Sequence, residues 1–193
     1  VDVDGTLETD ALTVAGVAAK VAGTETIYVP AAAMYANTTN GCSDLTQVEL
    51  ANGPELKVLD FDPSSDEKAQ FTVAFPKSWN EGTITYRVFF TVTGTNTGSV
   101  VWELSGVSIA DNATNNVTFG TGIGTSAKAH SGTSNDLDVT AFSNAVTVKN
   151  AAVDTFTHFQ LVRLATNGSD NQSGDARLQG IQILFTTDAA NDA

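Results

Sequence analysis

With 193 residues, 41% of them hydrophobic and only 16% charged, the chain has the length of one undivided all-β domain plus an appendage. Its 22 acidic against nine basic residues leave a formal net charge of −13, which repels phosphate backbones and anionic lipid, so neither nucleic acid nor a membrane is an expected partner. A single cysteine, Cys42, rules out an internal disulfide and a thiolate metal cage, and no apolar run approaches the roughly 20 residues of a membrane helix.

The first 24 residues differ from the rest. Val1, Val3, Leu7, Leu12, Val14 and Val17 are spaced among small and polar residues, and Gly5, Gly16 and Gly23 interrupt them. Such a strip cannot bury itself alone. Residues 1–24 are therefore expected to form an extended attachment or oligomerisation segment, with a reach of about 80 Å at roughly 3.3 Å per residue. The alanine-rich stretch from Val14 to Ala22 has a short helix as its alternative. Because the chain opens on Val and not Met, it reads as processed, trimmed or only partly ordered, and whether residues precede Val1 is left open by the sequence.

Residues 25–188 read as one β-sandwich domain, and 189–193 as a tail. Apolar residues recur at period two between turn clusters, the pattern of half-buried strands. The clearest run is Thr83 to Thr93, where Ile84, Tyr86, Val88, Phe90 and Val92 share a face and Phe89 is the one apolar residue opposite. Phe71, Val73 and Phe75 repeat the pattern before Pro76, which has no N–H to continue a ladder. Further strands are expected at Ile27 to Val29, near Val48, and at Leu56 to Phe61, Val100 to Leu104, Val107 to Ile109, Ala145 to Val148, Phe156 to Leu164 and Ile181 to Phe185. Roughly ten strands are too many for one sheet with a wet face, so the fold class is an all-β, two-sheet antiparallel sandwich, jelly-roll-like. Helix is expected only as a turn near Pro63 to Lys68. The long Asn/Thr/Ser/Gly stretch from Asp111 to Asp136 is a surface excursion, read as solvated connection, and is the place for any ligand recognition.

The residues that carry chemistry elsewhere are scattered. The two histidines, His130 and His158, lack Cys, His or acidic neighbours at metal-ligand spacing, and Cys42 has no activating partner in the sequence. Glu81 beside Trp79 and Glu103 beside Trp102 are the pair to test for glycoside hydrolysis, but one sits in a turn and the other on the outward face of a strand. The acidic stretch Asp60 to Glu67 and the Asp136-Leu137-Asp138 triplet offer oxygen ligands for calcium without the full loop pattern. Asp62 and Ser65 equally suit a turn at Pro63. No catalytic residue, metal ligand or cofactor is expected, and Trp102, alternating with Val100 and Leu104, reads as core.

Two sets of residues carry a resemblance. The opening run Val3-Asp4-Gly5-Thr6-Leu7-Glu8-Thr9-Asp10-Ala11-Leu12-Thr13-Val14 resembles leaders of fibre-like structural proteins of tailed bacteriophages. The body resembles a phage virion β-domain through Ile27-Tyr28-Val29-Pro30-Ala31, Leu59-Asp60-Phe61-Asp62, Phe75 to Thr83 (FPKSWNEGT), Asp175-Ala176-Arg177-Leu178 and Phe185-Thr186-Thr187-Asp188. The resemblance implies a non-enzymatic component of the virion surface, a fibre or spike head or receptor-binding module, commonly a homotrimer. Its partners would be other virion proteins of capsid or tail and a host surface glycan. Two alternatives stand beside it: a capsid decoration protein that stabilises the head lattice, and a free carbohydrate-binding module, for which a monomer with Trp79 or Trp102 exposed to solvent would be the mark.

Overall fold

Alternation decides which way each strand faces. In the computed structural model, which describes residues 13–14, 17–18 and 23–188, the core side chains foreseen from Ile84 to Val92 are all fully or nearly fully buried. The described residues form β1 (Thr13–Val14), β2 (Val17–Ala18), β3 (Gly23–Pro30), β4 (Tyr35–Ala36), β5 (Thr46–Glu49), β6 (Glu55–Phe61), β7 (Glu67–Val73), β8 (Thr85–Val92), β9 (Ser99–Val100), β10 (Trp102–Ile109), β11 (Ile123–Gly124), β12 (Lys128–Ala129), β13 (Asp138–Val139), β14 (Phe156–Arg163) and β15 (Ala176–Thr187).

The strands build a two-sheet antiparallel sandwich. One sheet runs β11-β10-β14-β7-β4; the other runs β13-β8-β15-β6-β5, with β3 also paired to β15. Between them lies a single aromatic-rich core. The Trp102 ring of the first sheet meets Phe61 and Phe90 of the second edge-on, at 4.9 and 5.8 Å. The Tyr86 hydroxyl crosses the same gap to lie 2.7 Å from the Ile123 carbonyl and 3.1 Å from that of Trp102. At one end Phe75 stacks on Trp79 at 4.1 Å and meets Phe185 edge-on. Aromatic pairs of this kind add about 0.5–1.5 kcal/mol each beyond area burial.

Two glycines allow close approaches that set the layers. Gly106 lies opposite Phe159, and a Cβ there would come within 2.7 Å of the Phe159 ring. Gly180 lies beneath the Tyr28 ring, where a Cβ would come within 2.4 Å of the phenol oxygen. Next to it, β15 shifts register against β8 between Leu178 and Gly180. That bulge re-phases the strand, so that Leu178 and Ile181, three residues apart, both face the core.

Several expectations change. The one helical turn among the described residues is the 3-10 segment Ala31–Ala33; at Pro63 to Lys68 the chain bends and then enters β7. The strand expected at Val100 to Leu104 is split, Val100 ending β9 before a break at Val101, and its remainder from Trp102 is joined to the one expected at Val107 to Ile109, because β10 continues through Ser105 and Gly106. Ala145 to Val148 is not a strand: Val146 makes one isolated bridge to Ile84. Short strands raise the number to fifteen among the described residues. In the leader, β1 and β2 pair antiparallel with Val14 opposite Val17, a strand conformation where a helix was the alternative. Val1, Val3, Leu7 and Leu12 lie outside the described residues, as does the tail 189–193, and β3 already opens at Gly23.

Candidate functional site

Register brings together residues that are far apart in the chain. On the five-stranded sheet Tyr35 of β4 is paired with Gln70 of β7, Gln70 with Gln160 of β14, and Gln160 with Ser105 of β10. The next outward row is Thr72, His158 and Val107, and beyond it Phe156 stands beside Ile109. Because side chains alternate, all of these point away from the core that holds Phe71, Phe159 and Leu104.

This outer face is neither bare nor closed. The loop after β10 folds over its near edge, held by a bond from the Gly120 N–H to the Gly106 carbonyl and by Lys149, whose ammonium donates to the Thr118 hydroxyl at 2.7 Å. That cover buries Val107 and Ile109 although they are outward residues. Between loop and sheet is a pocket of about 190 Å³ with Tyr35, Gln70 and His158 on the sheet side and Asn115, Val117 and Phe119 on the loop side. A second pocket of about 330 Å³ adjoins it, sharing Ile109 and Asn115 and adding Asp111, Asn112, Asp154 and Phe156. Tyr35 and Phe156 are each 51% exposed, and the Phe156 ring meets His158 edge-on at 5.0 Å. An apolar floor, two half-exposed aromatic rings at the rim and a few amide, phenol and imidazole groups give this face both stacking surface and hydrogen-bonding capacity.

The other candidates are used structurally. His130 is buried, its Nδ1 2.6 Å from an Asp138 oxygen and its Nε2 3.3 Å from the Gly94 carbonyl, while Lys128 approaches the other Asp138 oxygen at 3.3 Å. The partner absent from the local sequence is Asp138, supplied by β13. The Glu81 carboxylate accepts a bond from the Val153 N–H at 2.9 Å, and Glu103 stands on the outer face against Gly122, so the two are separately engaged. In the acidic stretch Asp60 pairs with Arg177, Glu67 accepts from the Asp62 N–H, and Asp66 accepts from Thr166. The Ser64 hydroxyl, and then its N–H, hold the Asp62 carboxyl below its ordinary value. Burial raises Glu67. Among the described residues no group of three or more His, Cys, Asp or Glu side chains is placed to hold a metal ion. Burial, then the nearby Glu67 carboxylate, push the Cys42 thiol up to about 12, which leaves it without thiolate character at neutral pH.

Both tryptophans are core: Trp79 is 1% and Trp102 0% exposed. Of the loop from Asp111 to Asp136, Asn112, Asn115, Val117 and Phe119 do line pockets, whereas Tyr35, Gln70, Phe156 and His158 were not singled out in the sequence as ligand residues. Of the leader residues, the structure brings Val14 and Val17 together as backbone partners.

No protein-family model matches the chain, and no curated protein sequence matches it. Among solved structures it is similar to carbohydrate-binding modules. One is the CBM36-1 domain of a multidomain xylanase from the hindgut metagenome of Trinervitermes trinervoides, 11% identical over 82% of this chain and 96% of that one, TM-score 0.41. Another is CBM35 from Cellvibrio japonicus Abf62, 8% identical over 86% and 99%, TM-score 0.43. A third is the family 11 module of Clostridium thermocellum with a mixed-linked tetrasaccharide, 8% identical over 84% and 87%, TM-score 0.41. At these identities and scores the likeness carries no argument about function, which rests on this chain's own side chains.

Proposed function

We propose that this chain is a non-catalytic recognition module that holds a neutral carbohydrate on the open face of its five-stranded sheet. The observation that carries the reading is the pair of half-exposed rings, Tyr35 and Phe156, at the rim of adjoining pockets whose walls present Gln70, His158 and Asn115. Exposed rings beside fixed hydrogen-bonding groups favour a ligand with one apolar and one hydroxylated side. The tryptophans foreseen as the mark of such a module serve the core, and the two smaller rings take their place at the surface. The test is a screen of neutral glycans followed by calorimetric titration. A sugar should bind wild type and lose at least tenfold in affinity with Tyr35→Ala; binding that is indifferent to Tyr35 and Phe156 would refute the reading.

A second reading is favoured by the leader and the five body runs that resemble phage virion proteins. In it the module is displayed on the virion surface of a tailed phage as a homotrimeric fibre or spike head, with capsid decoration as the variant role, and residues 1–24 attach it to the particle. The two readings are compatible, since a receptor-binding head is a place for a glycan site. Light scattering on the full chain should give three times the 20.1 kDa chain mass. A monomer at micromolar concentration would count against display as a trimer.

A further inference from the structure

We infer, resting on the carbohydrate reading, that the two adjoining pockets are successive subsites for one oligosaccharide, that the chain crosses between them at Ile109 and Asn115, and that the sugar unit in the second pocket carries no negative charge.

Size argues for continuity. Small-ligand sites usually enclose about 300–1,000 Å³. The Tyr35 pocket, at about 190 Å³, falls below that range, and the Phe156 pocket, at about 330 Å³, only just enters it. Together they make a site of ordinary size. The two share Ile109 as floor and Asn115 as wall. Their sheet-side markers, His158 and Phe156, are successive outward residues of one strand, so the subsites are offset by about 6.6 Å at roughly 3.3 Å per residue. A ligand extended along β14 meets Tyr35 and His158 first and the Phe156 ring next.

The junction has its own polar group. Asn115 has no side-chain hydrogen bond within the described residues, and its amide offers both a donor and an acceptor to whatever lies between the pockets. The second pocket is acidic. Asp111 lies on one side, bonded by the Asn112 amide at 2.7 Å. Asp154 lies on the other, its backbone held in the left-handed region at φ 56°. Carboxylates accept hydrogen bonds from sugar hydroxyls but repel a uronate or a sulfate, and the chain's net charge of −13 adds to that repulsion.

The experiment is calorimetric titration of the full chain with cello-, xylo- and malto-oligosaccharides of one to four units and with oligouronates of the same lengths. In a series whose binding depends on Tyr35, affinity should rise at least tenfold from one unit to two, and Phe156→Ala and Asn115→Ala should each remove most of that rise while the melting midpoint stays within about 2 °C. The oligouronates should bind at least tenfold more weakly than the neutral series. Tyr35-dependent binding that is flat with chain length overturns this inference and leaves the neutral-carbohydrate reading standing, whereas Tyr35-dependent binding that prefers uronates overturns both. No Tyr35-dependent binding in any series overturns both.

Discussion

Arg177 and Asp60 stand directly opposite each other where β15 pairs with β6, and the guanidinium donates to both carboxylate oxygens, at 3.0 and 3.2 Å. They belong to residues 59–62 and 175–178, two of the runs on which the proposed virion reading rests. Two others meet likewise, with Trp79 bridging to Thr187 at the far end of β15. Those runs are thus framework around β15, while Tyr35, Asn115, Phe156 and His158 lie outside them. The cross-strand pair is partly shielded from water, so Arg177→Ala should cost about 1 kcal/mol in urea unfolding, and a double-mutant cycle with Asp60→Ala should return a coupling of about 0.5–1 kcal/mol. A coupling indistinguishable from zero would make the pair ornamental.

Arg163 is the more demanding case, because it is fully buried and every N–H of its guanidinium is used. Nε and one Nη donate to the two Asp170 oxygens at 3.2 and 3.0 Å, and the remaining donors reach the carbonyls of Phe61, Gly174 and Gln172 at 2.8–3.0 Å. A lysine keeps the charge but cannot reproduce the planar fork. Arg163→Lys should therefore cost about 3–5 kcal/mol, close to the cost of removing one partner of a buried pair, and thermal melting should show it directly. A loss under 1 kcal/mol would mean that the loop re-forms around the ammonium.

Strands long enough to show a period were legible. β8 and β14 stand close to where alternation puts them, and Trp102 is core because it alternates with Leu104. What the sequence hides is partnership across distance. Ala145 to Val148 alternates yet makes only the one isolated bridge from Val146 to Ile84, so pattern alone does not make a strand without an edge to join. Tyr35 sits on a two-residue strand with no period to read. Gln70 and His158 look like any outward polar residues, and they become one pocket only once register sets β4, β7, β14 and β10 side by side. His130 needed a carboxylate from β13, which no local motif announces.

Gly106 accounts for the break that the sequence placed inside β10, and it makes its own prediction. A methyl group there would come within 2.7 Å of the Phe159 ring, which itself packs at 5.2 Å on Phe71. In a core this tightly filled neither ring can retreat without moving the other. Gly106→Ala should cost about 1–3 kcal/mol despite the higher strand preference of alanine. A stabilised variant would show that the rings shift freely.

Burial, and after it the carboxylates of Asp60 and Asp62, raise the Asp175 carboxyl above its ordinary value of 3.8. The folded state thus favours the protonated form. Any stability from that preference is complete below the unfolded value and is lost as pH rises through the folded one, so at neutral pH the ionised group opposes folding. Asp175→Asn should melt higher than wild type at pH 7, and the difference should vanish as pH falls to 3.8 and below. A variant less stable at pH 7 would assign the carboxylate a favourable role in the native state.

Fold and binding face are separable because they use different aromatic residues. Trp102 is 0% exposed and wedged against Phe61 and Phe90, so Trp102→Ala should cost about 3–5 kcal/mol and depress glycan affinity only as far as it unfolds the protein. Tyr35 is 51% exposed on a short edge strand, so Tyr35→Ala should change stability by no more than about 0.5 kcal/mol while lowering affinity tenfold or more. Measuring melting and binding on the same two samples distinguishes the roles. If the tyrosine variant unfolds as readily as the tryptophan one, the loss of binding would reflect a damaged sheet, and the outer face would have no claim to be the recognition surface.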